Sequence, residues 1–133
     1  MQYRRAIAPG GTFFFTVVTY RRRPVLASAE AVDALRELGA FGLEYAEQPC
    51  ATVEDLAALR ARDLGVLIAA DESIRRAADP LRVKAAGAAD VAVLKVQPLG
   101  GPRACLRLAE ELGLPVVVSS AVETSVGLRA GVA

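Results

Sequence analysis

"VLIAADES", residues 66–73, runs five apolar residues up to Asp71 and Glu72 and stops at a hydroxyl. A buried strand has no use for two carboxylates in its interior, so their place is at its end. Similar stretches recur along the chain: "LEYAEQPC" from Leu43, "VAVLKVQP" from Val91 and "VVVSSAVE" from Val116. The polar residue ending each apolar run falls at Glu47, Asp71, Lys95 and Ser119, each step being 24 residues. Side chains alternate faces along a strand with period two, so an even step keeps all four on one side of a pleated sheet.

Between these runs the chain carries helix start and stop signals. Ser28 opens "SAEAVDALREL", and Thr52 can cap a helix through "VEDLAALRARDL" to Gly65. Asp79-Pro80 opens a helix closed by Gly87, and Gly101-Pro102 opens one closed by Gly113, with Pro115 beyond. Strand and helix alternate, and the strands read as continuous apolar runs, as strands covered on both faces do. This predicts a parallel α/β fold. The short repeat suits a β/α barrel, whose functional groups sit at the C-terminal ends of its strands. A full barrel takes roughly 250 residues, and this sequence has 133. The expectation is therefore a partial (β/α) barrel of about five parallel strands and four to five helices, not closed, with "TFFFTVVTY" at 12–20 as the first strand.

The formal charge of +1 conceals an asymmetry. Residues 1–25 hold five arginines, no acid and five of the seven aromatics, while the remainder holds eleven bases and all fifteen acids. Two parts of unlike origin are expected, 1–26 and 27–133. No apolar run approaches a membrane span and no signal peptide is evident. Cys50 and Cys105 lack metal or redox spacing, so the expected setting is the cytoplasm with reduced thiols. Cys50 has no histidine to activate it and reads as a packing residue.

From about Ala27 onward, "FGLEYAEQPCATVEDLAALR", "IAADESIRRAADPLRV", "AGAADVAVLKVQPLGG" and "PVVVSSAVETSVGL" resemble the o-succinylbenzoate synthases of the enolase superfamily. The resemblance implies a lyase of menaquinone biosynthesis that binds Mg²⁺ on acidic strand-end residues and acts on a small-molecule carboxylate. It matches Glu47 and Asp71 to two metal ligands and Lys95 to a catalytic lysine. Ser119 and Ser120 match the loop that holds a substrate carboxylate. The chemistry is consistent: removing a proton beside a carboxylate places charge on two oxygens, which a hard cation and an ammonium stabilise. Glu72 is expected to orient the site from just outside it.

The same resemblance places a further metal ligand and a Lys-x-Lys general base on strands that would precede Ala27. Neither pattern is found, since the only lysines are Lys84 and Lys95. Residues 3–26, "YRRAIAPGGTFFFTVVTYRRRPVL", instead resemble the opening strand of REP-associated tyrosine transposases, without that family's histidines. The expectation is a truncated, inactive synthase-like protein with weak or absent Mg²⁺ binding and self-association through open sheet edges. The alternative is a non-catalytic interaction or nucleic-acid-contacting module. For Arg21 to Arg23, a solvated strand end is favoured over phosphate contact.

Overall fold

The computed structural model describes residues 29–132. Helix α1 (Ala29–Gly39) leads into β1 (Tyr45–Glu47), α2 (Val53–Arg60), β2 (Leu67–Ala70), two single turns α3 (Glu72–Arg75) and α4 (Arg82–Ala85), β3 (Val91–Lys95), α5 (Pro102–Leu112), β4 (Val116–Ser119) and α6 (Ser125–Val132). The strands form one parallel sheet in the order β1-β2-β3-β4. Among the described residues, four strands and six helices thus make an open α/β sheet, the unclosed β/α arrangement expected. The expected strand at 12–20 and the transposase-like segment lie outside the described residues.

The even step between strand ends appears directly in the packing. Even-numbered strand residues, Ile68, Ala70, Ala92 and Leu94, bury themselves in one core with Val32, Leu35, Leu56, Leu59, Val83 and Leu112 from the helices. Odd-numbered Ala69, Val91 and Val93 form a second cluster, against which Tyr45 and Val117 pack. Glu47, Asp71, Lys95 and Ser119 share this odd register and therefore its face.

The helices follow their signals with two differences. Thr52 caps α2, its Oγ1 accepting from Asp55 N–H at 3.1 Å. The helix ends at Arg60, short of Gly65, because Asp63 takes a left-handed conformation (φ +48°) that sends buried Leu64 back into the core. The helix expected between Asp79 and Gly87 is reduced to the single turn α4, and a further single turn, α3, follows β2 directly. Pro80 disfavours a helical conformation at Asp79, and Asp79 Oδ1 instead accepts from Leu81 N–H at 3.1 Å. Gly101 (φ +101°) and Pro102 open α5, and Gly113 (φ +64°) closes it in the left-handed conformation that glycine adopts without strain.

At the N-terminal ends of the strands, Asp90 joins three segments. Its Oδ1 accepts from Arg60 Nε at 2.7 Å and its Oδ2 from Ile68 N–H at 2.9 Å. Chemistry-bearing side chains are thereby left to the opposite, C-terminal rim.

Leu94 is 1% exposed in the helix-side core and Leu106 on α5 is 66% exposed. Leu94→Ala is expected to lower unfolding stability by about 2–5 kcal/mol. Leu106→Ala should change it by about 0.5 kcal/mol or less. Urea unfolding of both variants checks the assignment of that core.

Candidate functional site

Each predicted residue lies at the C-terminal rim of the sheet. Glu47 ends β1, Asp71 directly follows β2, Lys95 ends β3 and Ser119 ends β4. Ser119 stands opposite Lys95 in the strand register and is half-buried, while Ser120 lies beyond it, exposed.

Asp71 is the centre of the group. It is 1% exposed, and a carboxylate so far from water requires compensating charge. Lys95 Nζ pairs with its Oδ2, and Arg75 Nε donates to its Oδ1 at 2.9 Å. Arg75 in turn reaches Glu72, which lies just outside the group. Arg75 lies four residues after Asp71, one helical turn away, where such pairs meet.

Sequence reasoning missed the residue that fixes this arrangement. Gln48, immediately after Glu47, has φ +43°, a left-handed conformation that costs a non-glycine residue roughly 1–2 kcal/mol. There its side-chain Oε1 accepts from the backbone N–H of Asp71 at 3.0 Å and of Ser73 at 3.1 Å. Its Nε2 donates to Cys50 C=O at 2.8 Å and to Ser73 Oγ at 2.7 Å. One amide thus bolts the end of β1 to the turn that presents Asp71. Cys50 is buried, and burial raises its thiol pKa, the condition of a packing residue.

Glu47 is pushed above the usual glutamate pKa, first by burial and then by the negative charge of Asp71; Lys95 acts in the opposite direction. Two hard oxygen donors stand on neighbouring strand ends, and their mutual repulsion would be relieved by a cation between them. They suit Mg²⁺ as two of its ligands. Among the described residues no group of three His, Cys, Asp or Glu side chains is placed to hold a metal, so any remaining oxygens must be water, substrate or residues outside this set. Mg²⁺ commonly binds through one or two carboxylates and retains several waters.

Residues 23–133 match the family model described as enolase C-terminal domain-like. The chain is similar to the o-succinylbenzoate synthase of Thermobifida fusca, at 75% identity over 103 residues, covering 77% of this chain and 32% of that protein. It is 62% identical to the o-succinylbenzoate synthase of Mycolicibacterium smegmatis over the same proportions. The chain therefore spans about a third of the length of the curated relatives it matches. Among solved structures, the muconate lactonizing enzyme from Pseudomonas putida superposes with TM-score 0.68 and 32% identity, over 78% of this chain and 30% of that one. A probable mandelate racemase from Alicyclobacillus acidocaldarius gives TM-score 0.63 at 35% identity, covering 87% and 30% of the two chains. No helix among the described residues is long and apolar enough to cross a membrane.

Two outcomes follow from the geometry. Because its folded pKa is raised, ionised Glu47 costs stability: the cost is absent below the unfolded value, grows as pH rises towards the folded value and is complete above it. Without added metal, Glu47→Gln should raise the melting temperature at about pH 7 and leave it unchanged near pH 3.5, well below an unfolded glutamate's pKa. A gain on the order of 0.5 kcal/mol is expected for a partly exposed like-charge pair. Gln48→Ala strands the Asp71 and Ser73 amides and should cost about 1–3 kcal/mol, read by thermal unfolding.

Proposed function

The chain belongs to the enolase C-terminal domain-like family, and from that membership we propose that its strand ends form part of a site for removing a proton beside a substrate carboxylate. The reading takes its product, o-succinylbenzoate, from the names of the relatives the chain is similar to. The observation that carries it is Asp71, a buried carboxylate at a strand end, flanked by Glu47 on one neighbouring strand and paired with Lys95 from the other.

Glu47 and Asp71 would hold Mg²⁺ through their carboxylate oxygens, with Arg75 retaining Asp71 Oδ1 so that the carboxylate keeps its orientation. Bound there, Mg²⁺ supplies positive charge beside substrate oxygens that become more negative as the proton leaves. Lys95 adds an ammonium on the next strand, and its release from Asp71 frees it to donate to the same substrate oxygens. Ser119 and Ser120, one strand further along, offer hydroxyl donors to a second carboxylate. Gln48 holds the Asp71 and Ser73 backbone in place throughout.

The described residues do not include a base for the proton. The chain's other lysine, Lys84, donates to the Glu111 carbonyl at 2.7 Å near the end of α5, away from the rim. Proton transfer by a positioned group contributes typically 10²- to 10⁴-fold, so the 133-residue chain alone is expected to carry metal affinity without turnover.

Titration with Mn²⁺, followed by the loss of its free-ion electron paramagnetic resonance signal, is expected to show weak binding. Asp71→Asn and Glu47→Gln should each reduce that binding at least tenfold. Binding that survives both substitutions would overturn the ligand assignment. Formation of o-succinylbenzoate above background by the purified chain, lost on Asp71→Asn, would overturn the expected inactivity.

A further inference from the structure

Asp71 keeps its two carboxylate oxygens on different partners. Oδ1 accepts from Arg75 Nε at 2.9 Å, and Oδ2 pairs with Lys95 Nζ. The two cations are not held alike. Arg75 belongs to the turn that follows Asp71, and its planar guanidinium is shared with Glu72, so two carboxylates of its own segment tether it. Lys95 comes from the neighbouring strand, a compact ammonium on a flexible four-carbon stem. Among the described residues its Nζ has Asp71 as its one ionic partner.

The same ammonium acts on more than one acid. Glu47, within hydrogen-bonding reach of Asp71, feels the positive charge of Lys95 as well as the negative charges of Asp71 and Glu72. With all three acids ionised, three carboxylates stand against Arg75 and Lys95, one negative charge in excess. A divalent cation between Glu47 and Asp71 turns that excess into one positive charge if both basic side chains stay. It also sets a second cation against the oxygen that Lys95 already occupies. Like charges so close repel strongly where water is scarce, and Asp71 is 1% exposed. One cation must give way, and the single ionic contact of Lys95 breaks before the shared contacts of Arg75.

We propose that Lys95 is the resident counter-ion of the cation-free site, and that cation binding at Glu47 and Asp71 expels its ammonium from Asp71 Oδ2 towards the rim, where Ser119 stands opposite it in register. The inference rests on the reading of Glu47 and Asp71 as cation ligands. It gives the site an order of assembly. Before a cation binds, the Lys95 ammonium is engaged with Asp71, and a substrate carboxylate finds no free positive charge on that strand end. Afterwards it finds one. Arg75 stays on Oδ1 in both states and keeps the carboxylate from turning while its other oxygen changes partner.

Lys84 and Lys95 are the only lysines of the chain, so brief acetylation with acetic anhydride, followed by peptide mass spectrometry, reads each side chain separately. Lys84, exposed and donating to the Glu111 carbonyl at 2.7 Å, is the internal reference. In the full 133-residue chain at fixed pH and ionic strength, Lys95 is expected to react several-fold more slowly than Lys84 without divalent cation. Mn²⁺ at concentrations that saturate its paramagnetic resonance titration should raise the Lys95 rate several-fold and leave Lys84 unchanged. Asp71→Asn, folded by circular dichroism, should label rapidly at Lys95 with and without Mn²⁺. Equal rates for the two lysines in the cation-free chain overturn the proposal, as does a Lys95 that stays protected in folded Asp71→Asn. If Mn²⁺ binds and the Lys95 rate does not change, the ligand assignment stands and the exchange of partners fails. If Mn²⁺ does not bind, the ligand assignment itself fails and the exchange with it. Where Asp71→Asn is unfolded, the wild-type rates with and without Mn²⁺ decide.

Discussion

A parallel strand covered on both faces can carry a charge only where it stops, and that constraint orders the rest of this molecule. Helices of the β/α units cover one face of the sheet through Ile68, Ala70, Ala92 and Leu94, and the odd face is apolar along Ala69, Val91 and Val93. Polar side chains are confined to the two rims. The N-terminal rim spends its charge on Asp90, which ties Arg60 to the Ile68 backbone. The C-terminal rim gathers Glu47, Asp71 and Lys95 from three adjacent strands, and there the charges are neither distant nor fully neutralised.

Asp71 shows how such a rim is held together. Taking a carboxylate out of water costs several kcal/mol unless charge and hydrogen bonds compensate it, and Asp71 receives both. Arg75 comes from its own turn and Lys95 from the next strand, while Gln48 fixes its backbone from the preceding strand. Three consecutive segments are thus coupled through one residue. Among the described residues Glu47 receives no comparable partner, and its raised pKa reflects burial beside Asp71. A rim built for packing alone gains nothing from a half-buried acid beside a fully buried one. The proposed cation site would make use of that pair.

Sheet order, strand direction and the sharing of one face by Glu47, Asp71, Lys95 and Ser119 were legible in the sequence because they rest on periodicity. An apolar run bounded by a polar residue marks a strand end, and an even repeat settles the face. Helix boundaries were less legible where two signals competed. At Asp63 the burial of Leu64 ended α2 before its glycine, and after Pro80 the helix expected as far as Gly87 forms only one turn, α4. Gln48 was invisible for another reason. Its role depends on a left-handed backbone and on two loops meeting from different parts of the chain, and neither leaves a local pattern. Arg75 did leave one, at i+4 from Asp71 on the first turn after β2.

Among the described residues, the open sheet edges and the partial site arise from the same geometric fact. A barrel mouth is a ring, and each strand end is useful only because its neighbours lie on the same circle. The four described strands supply an arc, on which two acids, a lysine and a serine stand in that order, with β1 and β4 at its ends. Whatever pairs with β1 brings its own strand end beside Glu47, and whatever pairs with β4 brings one beside Ser119. Closing the sheet and completing the constellation are therefore one event: the strand that pairs with β1 also determines which side chain faces the acid with the raised pKa.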